Sequence, residues 1–143
     1  MAPPGLPTKL TLEIVTPDKS LVREDVYEVQ LPGSEGYLGV LPGHTPLLTT
    51  LKVGELWYRI GQDKHYLAIA FGFAEVLPDR VTILAQIGER AQDIDVARAE
   101  SAKRRAEERL ARPQVDMDFE RARIAMMKSL IRLQVASRAR TRV

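Results

Sequence analysis

"RVTILAQIGERAQDIDVARAESAKRRAEERLARP", residues 80–113, carries two side-chain periods in one unbroken run. Its first part alternates: Val81, Ile83 and Ala85 share one face, the pattern of a half-buried strand. From Asp93 onward glycine is absent and Ala, Glu and Arg dominate, all strong helix formers. Asp93 or Asp95 can cap that helix by accepting from its free backbone N–H groups, and Pro113 ends it. The period therefore switches from two to 3.6 within a few residues. The chain is predicted to be α+β in β-then-α order, with a β domain over residues 1–87 and a helical domain over 88–143.

Upstream the alternation repeats. "TKLTLEIVT" puts Leu10, Leu12 and Ile14 on one face, and "VYEVQLP" puts Tyr27, Val29 and Leu31 opposite Glu28 and Gln30. "HYLAIAFGFAEVL" is apolar on both faces at first, as a central strand would be. Turn clusters, "TPDKS", "LPGSEG", "LPGHTP", "IGQDK" and "LPDR", separate the runs. Roughly eight to ten short strands at this spacing predict a β-sandwich or flattened barrel. Downstream, "VDMDFERARIAMMKSLIRLQVASRA" is a second helix, capped by Asp116 or Asp118. The short connection predicts an antiparallel hairpin. Its expected core sets Ala99, Ala102, Ala106 and Leu110 against Phe119, Ala122, Met126, Leu130 and Leu133. Alanine contributes little apolar area, so the hairpin is expected to be marginal alone and able to move relative to the β domain.

Composition narrows the chemistry. The 143 residues are 45% apolar and 28% charged, with no cysteine. Disulfides, Cys-zinc sites and Cys nucleophiles are excluded, which suits a reducing compartment. No apolar run approaches the roughly 20 residues that span a bilayer, so no direct membrane insertion is expected. "MAPPGLPTK" resembles neither a signal nor a transit peptide, and the chain is expected to be made and kept in the cytosol. Charge is segregated: residues 1–87 carry seven basic and ten acidic side chains, and residues 88–143 carry 14 and nine. After Glu120 seven basic residues follow and no acidic one. Two modules with different partners are implied.

Candidate sites follow from this inventory. His44, in "LPGHTP", has no Asp and Ser beside it in sequence and reads as a turn or interface residue before it reads as a catalyst. His65 reads as a strand residue near a turn. Two isolated histidines without cysteine argue against a transition-metal site. Glu13, Glu28, Glu55 and Glu75 fall on polar strand positions that a solvated face explains. Neither GxxxxGK[ST] nor GxGxxG occurs, so no standard phosphate cradle is expected. Arg98 and Arg105 are seven apart on the first helix, and Lys128 and Arg132 four apart on the second. If these faces adjoin, four positive charges converge, which an anion such as a polyphosphate would make favourable. A solvated basic face, partly neutralised by Glu100, Glu107 and Glu108, is the other reading. A basic-helix nucleic-acid-binding protein is a further alternative, against which stand the acidic first turns and the lack of a base-reading motif. A small ATP-sensing enzyme lacks a P-loop, a Mg²⁺ carboxylate pair and a positioned nucleophile. No catalytic residue is assigned.

"GSEGYLGVLPGHTPLLTTLKVGEL" resembles a signature of the epsilon subunits of F-type ATP synthases. The likeness continues through "GFAEVLPDRVTILAQ" and "ERAQDIDVARAESAKRRAEERL", covering Leu10 to Ala136. It implies an N-terminal β-sandwich, a C-terminal helical hairpin and a central-stalk rotor subunit that makes and breaks no bond and requires no cofactor. The implied partners are the gamma subunit, the c-ring and the catalytic alpha/beta head, at the cytoplasmic face of a bacterial plasma membrane, with no nucleic acid. Ser34, Glu35 and Gly36 would face the polar loops of the c-ring, with His44 in the adjoining turn. A hairpin that extends into the head would inhibit ATP hydrolysis through the basic residues Arg121, Arg123, Lys128 and Arg132. Some members bind ATP as a regulatory ligand. Their I-D-x-x-R-A motif stands here as Ile94, Asp95, Arg98 and Ala99, with Glu89, Arg105, Lys128 and Arg132 as the other matched positions. Lys128 departs from the usual arginine and loses its fork.

Overall fold

The computed structural model describes residues 5–115 and 117–140, the side chain of Arg140 excepted. Asp116, one of the two caps offered by the sequence, and Arg142 lie outside the described residues. The chain clusters into two compact units, one ending at Arg90 and the next beginning at Ala91.

The first unit contains β1 (Leu10–Val15), β2 (Ser20–Val26), β3 (Glu28–Gly33), β4 (Gly36–Val40), β5 (Leu47–Ile60), β6 (Asp63–Leu77) and β7 (Arg80–Arg90). They hydrogen-bond in the order β2-β1-β7-β6-β5-β3-β4. β1 and β7 are parallel and every other neighbouring pair is antiparallel. Although β2 is an edge strand of that order, it comes round to pack against β5. The sheet thus closes over its own core as a β-sandwich. Leu12, Ile14, Leu31, Leu56 and Ile83 lie in it fully buried, with Tyr58.

The alternation predicts eight to ten short strands, whereas the described residues form seven, with β5 and β6 running 14 and 15 residues. The reason is clearest in β6. Phe71 and Gly72 both have left-handed backbone, φ 64° and 129°, yet pairing with β5 and β7 continues on either side without a slip. Before this point Leu67 and Ile69 enter the core; after it, Ala74 and Val76 do. The core-facing parity inverts within one strand, so no loop is needed where the sheet turns. This is also why "HYLAIAFGFAEVL" reads as apolar on both faces. Gly72 is required here: a Cβ would stand 2.0 Å from the Leu84 carbonyl oxygen. Glu55 differs from its reading as a solvated carboxylate, since it is only 7% exposed.

The second unit opens with a 3₁₀ turn (Ala91–Asp93), followed by α1 (Val96–Ala111) and α2 (Phe119–Arg140). Asp95 is the first cap: its carboxylate accepts from the Arg98 N–H at 3.1 Å. Asp118 caps α2, accepting from the Arg121 N–H at 3.0 Å. The helices pack along their lengths, and α2 also reaches the 3₁₀ turn before α1. The buried positions are Ala99 and Ala106 on α1 and Ala122, Ser129, Val135 and Ala136 on α2; Ala99 and Ala106, and Ala122, Ser129 and Ala136, are spaced by seven. Phe119 and Leu130, expected in that core, are exposed. Leu130 stands about 100° round the helix from the buried Ser129, off the face that α2 turns to α1. Ser129 remains satisfied because its hydroxyl donates to the Ala125 carbonyl at 2.8 Å.

Candidate functional site

At one end of the sandwich, β3 and β4 are joined by two residues, Ser34 and Glu35, between the paired glycines Gly33 and Gly36. Neither central residue has positive φ; Gly36, which follows them, does, at 131°, a conformation that suits glycine. The Ser34 N–H donates to the Thr50 carbonyl at 2.9 Å, which anchors the turn to β5. Glu35 and Gly36 are exposed at its tip. The adjoining "LPGHTP" turn is tied down at Gly43, whose N–H donates to the Pro78 carbonyl at 2.7 Å. The His44 ring lies 2.7 Å from the Thr45 carbonyl oxygen through Nδ1. A carbonyl only accepts, so Nδ1 carries the proton and braces the turn.

The sandwich also exposes an apolar band that the sequence reading did not isolate. Phe73 on β6 and Leu84 on β7 are directly paired, 54% and 53% exposed. Leu48 on β5, diagonal to Phe73, is 71% exposed. Leu41 and Leu47 are exposed nearby in sequence. Contiguous apolar surface of this kind marks a contact face. The inverted parity places Phe73 there: after Gly72 the odd positions of β6 face outward, which puts Phe73 outside.

In the helical unit, most of the Ile94–Ala99 motif has structural work. Ile94 and Ala99 are buried and Asp95 is the cap, while the Arg98 side chain is exposed. Arg105 donates from Nη1 to the Ser101 hydroxyl at 3.0 Å. It lines an open groove of about 820 Å³ with Arg109, Arg112, Gln114 and Met117, where Glu107 and Glu108 also stand. Lys128 and Arg132 are half-buried on α2. Lys128 lines a second groove, of about 350 Å³, with Asp118, Glu120, Arg121 and Ile124. Arg105 and Lys128 thus open into different grooves, whereas Arg121 and Lys128 share one. Glu89 stands on β7, in the preceding unit. Arg123 is bound to its own helix: Nε and Nη2 donate to the two Glu120 carboxylate oxygens at 3.2 and 2.5 Å, and Nη1 to the Met127 sulfur at 3.5 Å. That hydrogen bond holds the Glu120 carboxyl below the ordinary carboxylate range and pushes the Arg123 guanidinium up.

The order of the two units and the form of each agree with known proteins. The family described as ATP synthase, Delta/Epsilon chain, beta-sandwich domain matches residues 9–91, and its long alpha-helix domain matches residues 92–137. The chain belongs to this ATP synthase subunit family. An ATP synthase epsilon chain of Syntrophobacter fumaroxidans is 53% identical over 130 residues, 91% of this chain and 97% of the relative. One from Koribacter versatilis is 59% identical over 98 residues, 68% of this chain and 69% of the relative. In fold, the chain resembles one in the cryo-EM structure of Euglena gracilis mitochondrial ATP synthase (OSCP/F1/c-ring, rotational state 1). The TM-score is 0.80 at 24% identity, over 96% of this chain and 86% of that one. Like its epsilon-chain relatives, this is a non-catalytic subunit of the ATP synthase. Among the described residues no helix is long and apolar enough to cross a membrane.

Proposed function

We propose that this chain is a central-stalk rotor subunit of a bacterial, proton-translocating ATP synthase. It would stand peripherally at the cytoplasmic face of the plasma membrane and couple c-ring rotation to the catalytic alpha/beta head. The observation that carries the reading is the exposed band of Leu48, Phe73 and Leu84 on a rigid sandwich, a dry face suited to the gamma subunit. The Ser34–Glu35 tip is a separate, polar projection suited to the polar loops of the c-ring. Cysteines at Ser34 or Glu35 are expected to cross-link to c-subunit loops in the assembled enzyme. Cross-links only to distant surface controls would refute the assignment.

The hairpin is the brake in this reading, with Arg121, Arg123, Lys128 and Arg132 as its basic face and an acidic segment of the head as its target. Its seam of small residues supports ready release. Deleting the residues after Gln92 is then expected to raise ATP hydrolysis while leaving assembly intact. ATP is its regulatory ligand: bound to the closed hairpin, it stabilises that form by mass action. Arg98, Arg105, Lys128 and Arg132 supply charge for the phosphates, with Ile94 and Asp95 near the base. Calorimetry on the isolated chain is expected to show Arg105→Ala weakening ATP binding more than Arg109→Ala, an equal loss of charge from the same groove. Lys128→Arg is expected to tighten it by replacing a point charge with a fork. No heat with millimolar ATP would remove the site.

A further inference from the structure

Glu120 is the last acidic residue of the chain, and seven basic residues follow it. Its carboxylate does not project freely. It grips Arg123 through both oxygens, and the third guanidinium nitrogen is turned onto the Met127 sulfur. The same Glu120 lines the groove of about 350 Å³ in which Asp118, Arg121 and Lys128 also stand. That groove therefore holds two acids and two bases, on a helix whose remaining charges are all positive. Arg121, exposed, uses its backbone N–H on the Asp118 cap and leaves its guanidinium on the rim.

We propose that Glu120 is an internal competitor, which occupies Arg123 and restrains the docking of α2 onto an acidic protein segment until that segment displaces it. The inference rests on the reading of α2 as a basic docking face. Charge complementarity selects the occupant: carboxylates of a partner would meet Arg121 and Lys128 in the groove and, beside it, take over the fork of Arg123, which does not line the groove but is held by Glu120. The bidentate geometry of Arg with a carboxylate makes Glu120 and an incoming Asp or Glu direct rivals for the same donors. The exchange is easy because the pair is exposed, and exposed ion pairs are weak. Glu120 is in this sense a positioning residue, setting how much of the α2 charge a partner can use and damping attachment to the wrong acidic surface.

The experiment is a double-mutant cycle on the full chain with wild type, Glu120→Gln, Arg123→Ala and the double variant. Circular dichroism confirms equal helix content; both sites are exposed in the first turns of α2, and glutamine is a good helix former. Binding of a fluorescently labelled peptide of eight glutamates is measured at low and high salt, and ATP hydrolysis is measured in the reconstituted enzyme. Glu120→Gln is expected to tighten the peptide about two- to four-fold at low salt, to deepen inhibition in parallel, and to lose the gain when Arg123 is also alanine. Three results overturn the proposal: no gain from Glu120→Gln, a gain that survives Arg123→Ala, or no binding of the peptide by any variant. A failure of the brake reading is separate. It shows as unchanged hydrolysis when the whole hairpin is deleted, whatever the peptide does.

Discussion

The two units of this chain are held together in opposite ways. The sandwich fills its interior with Leu, Ile and Val side chains and one buried Tyr. Each is worth about 1.5–3 kcal/mol when taken out of water. The buried hairpin residues on α1 and α2 are alanines and one serine, with Val135 as the one larger apolar side chain; small side chains bring two helices close but remove little apolar area. One unit can hold a contact surface rigid, and the other can part and re-form at low cost. On the proposed reading, a rotor subunit that carries a releasable brake has reason to divide its stability this way.

The strongest way to break that contrast is to separate the units. A fragment ending at Arg90 keeps the last β6–β7 pair, Leu67 with Arg90, and is expected to unfold cooperatively. A fragment beginning at Ala91 is expected to show only a fraction of the helix it has in the full chain, since most helical stability comes from packing and the buried helical residues here are mostly small. Circular dichroism melts of both decide. A molten sandwich, or a hairpin that melts cooperatively alone, would show that the cores are not unequal.

Next in size come single core deletions. Leu12→Ala removes a fully buried side chain from the sandwich and is expected to cost about 2–5 kcal/mol. Ala106→Gly, at the centre of the hairpin seam, is expected to cost about 1 kcal/mol, chiefly backbone entropy. Urea unfolding followed by Trp57 fluorescence for the first and by far-UV ellipticity for the second measures each. Equal penalties would erase the distinction.

How far the sequence made this visible also differs between the units. Alternation placed Leu10, Leu12, Ile14, Val81 and Ile83 in the core, where they are. It could not show that Phe71 and Gly72 invert the facing of β6, because a left-handed phenylalanine has no pattern of its own. The outward position of Phe73 was missed for that reason, and the strand number because both β5 and β6 run through such a change of face without a loop. In the hairpin, counting apolar residues favoured Phe119 and Leu130, yet the seam chose the heptad of small residues, since helix approach is limited by the largest side chain between the axes. Both caps were legible, each as one of two aspartates. The positions of Arg105 and Lys128 in different grooves were not, because spacing along each helix says nothing of how far apart the helices hold their charges.

A smaller effect on stability, and a larger one on assembly, is expected at the apolar band. Phe73→Asp alters an exposed side chain, so the free subunit is expected to keep its stability to within about 0.5 kcal/mol. Its incorporation into the enzyme, followed by co-purification with a gamma subunit, is expected to fail. Destabilisation of the free sandwich by several times that amount would mean that Phe73 belongs to the core and not to a contact face.

The smallest effect tests the hairpin through the Glu120–Arg123 pair. Bonding to Arg123 depresses the pKa of Glu120 in the folded chain. A depressed carboxyl contributes stability above its unfolded value, near 4.5, and loses it as pH falls through the folded value. The raised Arg123 contributes nothing variable in that window, because arginine stays protonated throughout it. Ellipticity of the hairpin should therefore be insensitive to this pair from neutral pH down to about pH 5 and should fall slightly below it, while Glu120→Gln removes that part of the acid response. The pair is exposed, so salt should shrink the difference further. If Glu120→Gln and wild type lose helix with identical acid profiles at low salt, the clamp on Arg123 does not form in solution, and Arg123 is not withheld from a partner by Glu120.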